Sequence, residues 1–196
     1  MRDSDIRPCL LNCLEKQYKK DSNTLIVQEL GLCQGYARVD VAVVNGSLHG
    51  YEIKSEKDTL RRLSGQLDVY CKVLDYVTLV ASPRHLSRVT HTAPAWWGLW
   101  EADYKKGDLK IVTVRPGLEN DSVDSAAVVQ LLWRAEALEI LKTRNLHRGI
   151  VDKPRRVLWH YITEFLSLNE IREEVRNCIK ARQNWRVVSQ QVSCDG

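Results

Sequence analysis

The stretch that most constrains the fold runs from Ala37 to Lys54, where two segments rich in β-branched residues flank an Asn-Gly pair. Asn-Gly between two apolar segments is a strong short-range signal for a β-hairpin. A strand of a buried sheet should carry few charges, yet this stretch contains Asp40, Glu52 and Lys54. Because side chains alternate between faces along a strand, Glu52 and Lys54 share one face. The pattern therefore predicts a hairpin that presents a carboxylate and an amine side by side.

The length of the hairpin loop decides whether Asp40 joins that face. A two-residue loop would place Asp40 on the opposite face of the hairpin. A three-residue loop over residues 45–47, or an equivalent bulge, pairs Val44 with Leu48. That register puts Asp40 opposite Glu52, with Cβ atoms roughly 4.5–5.5 Å apart. We therefore predict the odd-length loop, which puts both carboxylates on one face. Two carboxylates this close repel unless a cation lies between them, so we also predict a divalent metal bound by oxygen ligands.

These residues resemble a known signature. Asp40, eleven intervening residues and then Glu52-Ile53-Lys54, followed by a basic helix, resemble the active site of the PD-(D/E)XK nuclease superfamily. The longer string from Tyr51 to Leu63, with Gln66 and Tyr70 beyond it, is similar to one bacterial family inside that superfamily. The resemblance covers roughly the first 115 residues. It implies an α/β fold with a restriction-endonuclease-like core, in which a mixed sheet is flanked by helices in the order αβββαβ.

The resemblance also implies an activity, namely metal-dependent hydrolysis of nucleic-acid phosphodiester bonds to 5′-phosphate and 3′-hydroxyl ends, with DNA favoured over RNA. Asp40, Glu52 and the backbone carbonyl of Ile53 would bind Mg²⁺ or Mn²⁺, and Lys54 would position or deprotonate the attacking water. Other residues enter as further candidates: Glu29 as an extra acidic ligand or a strand-end residue in water, Gln66 as a water- or phosphate-orienting group, Tyr70 as a nucleic-acid contact or a core residue, and Arg61 and Arg62 as phosphate contacts or a solvated helix face.

Two alternatives from other classes of protein stay open. The first is a catalytically silent nucleic-acid-binding or assembly module that keeps the same fold. The second is a metal-free interaction protein whose charged hairpin residues are merely solvated. The complete set of Asp40, Glu52 and Lys54 favours the enzyme, because the loss of any one of them would be the simplest sign of a degenerate site.

The remaining elements of the first part follow from hydrophobic periodicity. We predict a helix over Ile6–Tyr18, strands over Thr24–Leu30, Tyr76–Ala81 and Leu109–Val114, and a helix from a capping box at Ser55 and Asp58 to about Leu74, with a short polar segment over Ser82–Arg88. Three tryptophans could stack on bases, but tryptophan beside an apolar strand is usually core or edge cover, and we favour that role for Trp96, Trp97 and Trp100.

The C-terminal part changes from a period of two to a period of 3.6 after a polar linker. We divide the chain into a nuclease-like domain, residues 1–118, and a helical domain or appendage, residues 119–196. Its predicted helices are Ser125–Thr143, Pro154–Leu166 and Leu168–Arg182. Residues 142–156 contain six basic residues and one Asp, and we take Lys153, Arg155 and Arg156 from this loop as nucleic-acid contacts. The arrangement loosely resembles a SAP-type DNA-binding fold; the alternative is an appendage that packs on the first domain or on a second copy.

Composition sets the remaining expectations. A net charge of +4 does not by itself indicate nucleic acid, so local patches must supply that contact. No apolar run approaches the ~18 residues of a membrane span, and the N-terminus lacks an apolar leader. The six cysteines form no C-x-x-C pair, so we predict reduced thiols and a cytoplasmic protein. Whether the chain forms a homodimer is left open.

Overall fold

The computed structural model describes residues 1–59, 63–105 and 107–182. Within these ranges the chain forms one six-stranded sheet and seven α-helices. The strands are β1 (Leu25–Leu32), β2 (Ala37–Val44), β3 (Leu48–Lys54), β4 (Tyr76–Ala81), β5 (Gly98–Lys105) and β6 (Asp108–Arg115). The helices are α1 (Asp3–Tyr18), α2 (Leu63–Val73), α3 (Pro83–Val89), α4 (Ser125–Val128), α5 (Arg134–Thr143), α6 (Arg155–Phe165) and α7 (Leu168–Ala181). Two 3₁₀ turns, Cys33–Gly35 and Val129–Leu131, precede β2 and α5.

The sheet is mixed, and its strands lie in sequence order from β1 to β6. Strands β1, β2 and β3 form an antiparallel meander, β4 and β5 lie parallel to β3, and β6 returns antiparallel to β5. The parallel pairing of β3 with β4 requires a crossover, which α2 supplies. The α/β class and the αβββαβ order of the first six elements are therefore confirmed.

Helices cover both faces of the sheet. One face packs on α1, and its buried cluster is Ile6, Leu10, Leu14, Val41, Val43, Tyr51, Ile53, Val80 and Ala102. The other face packs on α2 and on the C-terminal helices in one continuous core, which includes Val27, Leu30, Leu74, Leu79, Ile140, Leu158, Ile171 and Ile179. The C-terminal helices thus share a core with the sheet. Trp97 is fully buried there, in agreement with its predicted core role, while Trp96 and Trp100 are partly buried against the two clusters.

The hairpin has the predicted register, because Val44 pairs with Leu48 across a three-residue loop. One detail of its faces differs from the prediction. Strict alternation along β2 would put Val39 on the same face as Val41, but Val39 packs in the core beneath α2, whereas Val41 faces α1. The alternation therefore changes at Asp40. Its neighbour across the β1–β2 pair is Glu29, which has a left-handed backbone with φ of 58°.

Three boundaries differ from the predictions. Ser55 and Asp58 do hydrogen-bond, through Ser55 N–H and Oγ to Asp58 Oδ2 at 2.7 and 2.6 Å, but they close a turn, and α2 is described from Leu63. The polar segment predicted after β4 is the short helix α3, with Pro83 in its first turn. The predicted helix Ser125–Thr143 is interrupted, because Leu132 is extended and its carbonyl accepts a hydrogen bond from the indole N–H of Trp159 at 3.2 Å.

A buried charged cluster fastens α7 to the sheet. Asp75, at the start of β4, is 4% exposed and accepts a hydrogen bond from Leu48 N–H at 2.7 Å. The Arg172 guanidinium lies 3.0 Å from its carboxylate, and Arg176 lies 3.8 Å away.

None of the helices in the described ranges has the length and apolar character of a membrane span. Five cysteines are free thiols in the structure, and Cys194 lies outside the described residues.

Candidate functional site

A cavity of about 980 Å³ opens at the end of the hairpin where Asp40, Glu52 and Lys54 lie. Charged side chains dominate its wall. The carboxylates are Asp3, Glu29, Asp40, Glu52 and Asp58, and the basic groups are Arg38 and Lys54. Among the described residues of the lining, five carboxylates stand against two cations, and Arg7, which bonds to Asp3, Glu29 and Asp40, adds a third positive charge beside them. Such a cavity attracts cations and repels a bare phosphate.

Glu52 is buried, with 2% of its surface exposed, and both of its carboxylate oxygens have donors. Lys54 Nζ lies 2.5 Å from Oε1, and the Gln66 amide donates to the same oxygen at 3.0 Å. The Tyr70 hydroxyl lies 2.6 Å from Oε2. Burial and the Glu52 charge raise the pKa of Tyr70 above its ordinary value, so the hydroxyl stays protonated and acts as a donor. The structure thus places Gln66 and Tyr70 beside the motif, where the resemblance put them.

Asp40 is held from two sides. Its Oδ2 accepts a hydrogen bond from Ile53 N–H at 2.7 Å, and its Oδ1 lies 3.0 Å from Arg7 Nη2. Regular pairing between β2 and β3 ends at Val41 and Tyr51, so the Asp40 side chain takes the Ile53 N–H that a continued ladder would use. The hairpin opens at this point. The opening turns the carboxylate into the cavity.

The charges of Asp40 and Glu52 affect each other, although the two carboxylates have different hydrogen-bond partners. Burial, and next the charge of Glu52, raise the pKa of Asp40 to about 6. The Ile53 N–H and Arg7 act in the opposite direction without cancelling this rise. Like charges in a shared, partly dry site produce this behaviour, and a cation between them would relieve it.

Arg7 is the part of the site that sequence reasoning missed. Its guanidinium makes a double contact with Asp3, at 2.9 and 3.0 Å, and also bonds to the backbone carbonyl and the carboxylate of Asp40, both at 3.0 Å. Burial lowers its pKa, but the hydrogen bonds and charges of Asp3 and Asp40 outweigh this and raise it. The only local signal was the four-residue spacing of Asp3 and Arg7, which is common on solvated helices. Nothing in that spacing indicated Asp40.

Glu29 is tied to two arginines. Its Oε1 lies 3.0 Å from Arg7, and its Oε2 lies 2.8 Å from Arg38, with about a quarter of the carboxylate side chain exposed (25%). A left-handed backbone at a residue other than glycine costs roughly 1–2 kcal/mol. Glu29 has this conformation and lies opposite Asp40. At this point the regular alternation of side chains between the two faces of the sheet is interrupted in both β1 and β2. Glu29 therefore anchors Arg7 and Arg38 at the wall of the cavity.

The predicted nucleic-acid contacts lie in different places. Arg61 and Arg62 lie outside the described residues. Lys153, Arg155 and Arg156 are exposed at the start of α6. Arg155 is within 2.5 Å of the side-chain oxygen of Gln34, in the turn that leads to the cavity rim. Lys153, Arg155 and Arg156 form the basic segment, which reaches the cavity rim through Arg155.

Fold and cavity together define a class: an α/β protein with a buried carboxylate, a lysine and a second carboxylate converging where a mixed sheet opens. The chain belongs to the bacteriophage P4 protein cII family, whose model matches residues 1–192. Protein cII of Enterobacteria phage P4 is 28% identical over 190 residues, which are 93% of this chain and 68% of that protein. No solved structure matches the chain. The family description states no activity and does not name the PD-(D/E)XK superfamily that the hairpin resembles.

Proposed function

We propose that this cII-family protein is a metal-dependent nuclease with a restriction-endonuclease-like core of the PD-(D/E)XK type, and that DNA is its substrate. One observation carries the proposal. Asp40 on β2 lines the same cavity as Glu52 and Lys54 on β3, and Gln66 and Tyr70 of the following helix bond to Glu52. Merely solvated hairpin charges would not need a buried carboxylate with three donors.

The cation that we propose is a magnesium ion with a largely aqueous shell. No group of three or more His, Cys, Asp or Glu side chains among the described residues is arranged as a complete metal site. Mg²⁺ differs from zinc in this respect, because proteins usually bind it through one or two carboxylates while it keeps several waters. Asp40 and Glu52 would supply those carboxylates, and the backbone carbonyl of Ile53 is the third ligand we propose. The negative excess in the cavity lining favours such a cation.

Each residue has a distinct task in this proposal. A bound Mg²⁺ or Mn²⁺ would supply a Lewis acid and a water of lowered pKa. Lys54, held by Glu52, would orient the attacking water and stabilise negative charge that develops on the phosphate. Gln66 would orient the same water or a phosphate oxygen. Tyr70 would fix the carboxylate plane of Glu52, and Arg7 would do the same for Asp40.

The exposed basic segment would supply further phosphate contacts outside the acidic cavity. Arg155 reaches the turn at the cavity rim through its contact with Gln34, and Lys153 and Arg156 are exposed beside it in the sequence. Replacing all three with alanine should weaken DNA binding and reduce the slope of affinity against salt by roughly two to three units, because each phosphate contact releases about one counterion. An unchanged slope would show that the segment only packs or solvates.

The test of the activity is a cleavage panel of supercoiled DNA, linear duplex, single-stranded DNA and RNA, each with Mg²⁺, with Mn²⁺ and with EDTA. We expect metal-dependent cleavage of DNA by the parent protein. Lys54→Ala should lower the rate roughly 100- to 1000-fold, as removal of a group acting on the transition state does. Lys57→Ala is the matched control, because Lys57 is an exposed lysine in the turn after β3.

Thermal melts separate the roles of the two charged groups. Asp40→Ala should lose both cleavage and the rise in Tm that metal produces, because a ligand of the native state has been removed. Lys54→Ala should keep the metal-dependent rise, since both carboxylates remain. Melts in EDTA show whether each variant folds. Parent-level cleavage by Lys54→Ala, or no cleavage of any substrate by the parent protein, would contradict the proposal.

One observation favours a second candidate function, a catalytically silent nucleic-acid-binding or assembly module with the same fold. Arg7 and Lys54 already neutralise Asp40 and Glu52. A module that needs no metal could use these ion pairs for stability alone. It would bind nucleic acid without cleaving it, and Mg²⁺ would leave its Tm unchanged.

A further inference from the structure

Tyr36 is the most exposed large apolar side chain in the part of the chain that the structure describes, with 81% of its surface in solvent. It lines the rim of the candidate cavity, two residues before Arg38. Among the described residues, the Tyr36 ring has no stacking contact with another aromatic ring and no cation above it. A large ring left in water costs free energy that the fold could recover by burying it.

The backbone before Tyr36 turns in an uncommon way. Cys33, Gln34 and Gly35 all have positive φ angles, of 46°, 60° and 89°. Only glycine adopts this conformation freely, so Cys33 and Gln34 are held in it by their surroundings. The Gln34 side chain supplies two such contacts, 3.3 Å to the amide oxygen of Gln130 and 2.5 Å to Arg155. The helical part of the chain thus braces the turn that presents the Tyr36 ring.

The cavity and its rim differ in the sign of their charge. The lining has an excess of carboxylates, whereas Arg38 on the rim is 65% exposed in its side chain and the basic segment at the start of α6 lies beyond the braced turn. Arg38 bonds to Glu29 through Nε, and none of the residues that the structure describes takes its other guanidinium donors, which can bind a second partner. A phosphodiester strand would therefore run along the rim, with its phosphates toward Arg38 and the basic segment and with only the reacting phosphate entering the cavity.

A ring at this position can stack only on an unpaired base. In a duplex both faces of each base are covered by neighbouring base pairs, whereas a base in a single strand offers a free face. Stacking of bases on exposed aromatic rings is how sequence-tolerant proteins grip single strands, with phosphates tracked by basic residues alongside. The neighbouring Tyr36 and Arg38 combine these two groups.

We propose that Tyr36 stacks on an unpaired base beside the cavity, so that single-stranded nucleic acid, or the unpaired end of a duplex, is the class of substrate that this site takes. The proposal rests on the proposed function in that it names the substrate of the same cavity. Arg38 contacts the adjoining phosphate. Double-stranded DNA without an unpaired region would meet the rim only through its backbone and would gain nothing from the ring.

The experiment measures binding apart from cleavage. Fluorescence anisotropy in EDTA follows a labelled single strand of about 16 nucleotides, a length that covers a typical single-strand site, and a fully paired, blunt-ended duplex of the same sequence. The variants are Tyr36→Ala and Tyr36→Trp. Tyr104→Ala is the matched control, because Tyr104 is also an exposed tyrosine (51%) but is not part of the cavity lining.

Tyr36→Ala should weaken single-strand binding about 10-fold, within the range found for one lost base–aromatic stack, and change duplex binding less than about 2-fold. Tyr36→Trp should restore the single-strand affinity, and Tyr104→Ala should leave it at the parent value. Equal affinity of the parent protein and Tyr36→Ala for the single strand, an equal loss on the duplex, or no rescue by tryptophan would overturn the proposal.

The two proposals fail separately. If no substrate is cleaved with Mg²⁺ or Mn²⁺ but Tyr36→Ala still loses single-strand affinity selectively, the nuclease function is wrong and the stacking role stands. If the parent protein cleaves DNA while Tyr36→Ala binds and cleaves single strands as well as the parent, the nuclease function stands and the stacking role is wrong.

Discussion

Replacement of Arg7 by leucine tests the electrostatic arrangement of the cavity most directly. Arg7 is 19% exposed in its side chain, and its partners Asp40 and Glu29 are 22% and 25% exposed. Breaking a fully buried ion pair costs roughly 3–5 kcal/mol, whereas an exposed pair contributes ~0–1 kcal/mol. The partly buried Arg7 lies between these limits, so Arg7→Leu should lower the free energy of unfolding by about 2 kcal/mol.

Thermal unfolding in EDTA measures this loss. For a chain of this size each kcal/mol shifts Tm by roughly 2–4 °C, so a decrease of about 4–8 °C is expected. Arg88→Leu is the matched control, because Arg88 is an exposed arginine near the end of α3. Its Tm should stay within about 2 °C of the parent value.

Mg²⁺ then distinguishes a metal site from a purely structural cluster. The Arg7 charge opposes a second cation near Asp40, so its removal should tighten metal binding and enlarge the rise in Tm at a fixed metal concentration. The variant should therefore recover part of its lost stability in Mg²⁺, and the control should respond as the parent does. Equal Tm values in EDTA for the parent and Arg7→Leu, or a smaller Mg²⁺ response in the variant, would refute the reasoning.

Three further predictions concern stability in EDTA. Tyr70→Phe removes a buried donor from Glu52 and should cost about 1–3 kcal/mol in urea unfolding; a loss under ~0.5 kcal/mol would show that the hydroxyl is not needed. Because the pKa of Asp40 is about 6 in the folded protein and ~3.9 in an unfolded chain, the native state keeps a proton that the unfolded chain has lost between these values. Stability should fall by up to ~3 kcal/mol as the pH rises from about 4 to about 6, and Asp40→Asn should flatten that fall. Asp75→Asn keeps the polar contact with the sheet but leaves Arg172 without its counter-charge, and should cost about 2–4 kcal/mol, measured against the exposed-site control Asp152→Asn.

Local patterns in the sequence determined the position of the hairpin. The Asn-Gly pair and the alternation of apolar residues act over a few positions and indicated where the hairpin turns. The three-residue loop that pairs Val44 with Leu48 was chosen over a two-residue loop because it brings Asp40 to the face of Glu52. The order of the first elements followed for the same reason, because periods of two and 3.6 are local properties of the backbone. The placement of Gln66 and Tyr70 beside the motif came from the family resemblance together with helical spacing.

Local patterns were less reliable where packing decided the boundary. The predicted helix Ser125–Thr143 has the helical period throughout, but the chain is extended at Leu132. There the indole N–H of Trp159 donates a hydrogen bond to the Leu132 carbonyl. Val39 likewise has the right period for the α1 face and yet lies in the opposite core. In both cases a contact with another element outweighed the local preference.

Only the tertiary structure decided which charges meet. Arg7 and Asp40 are 33 positions apart, and Gln34 and Arg155 are 121 apart, so no spacing rule links the members of either pair. The left-handed conformation of Glu29 also has no signal in its residue type, because glutamate rarely adopts it. Periodicity specifies which face of an element is apolar, but the partners of a charged side chain depend on how elements dock. Docking is set by the packing of the whole core, and a short sequence window does not contain that information.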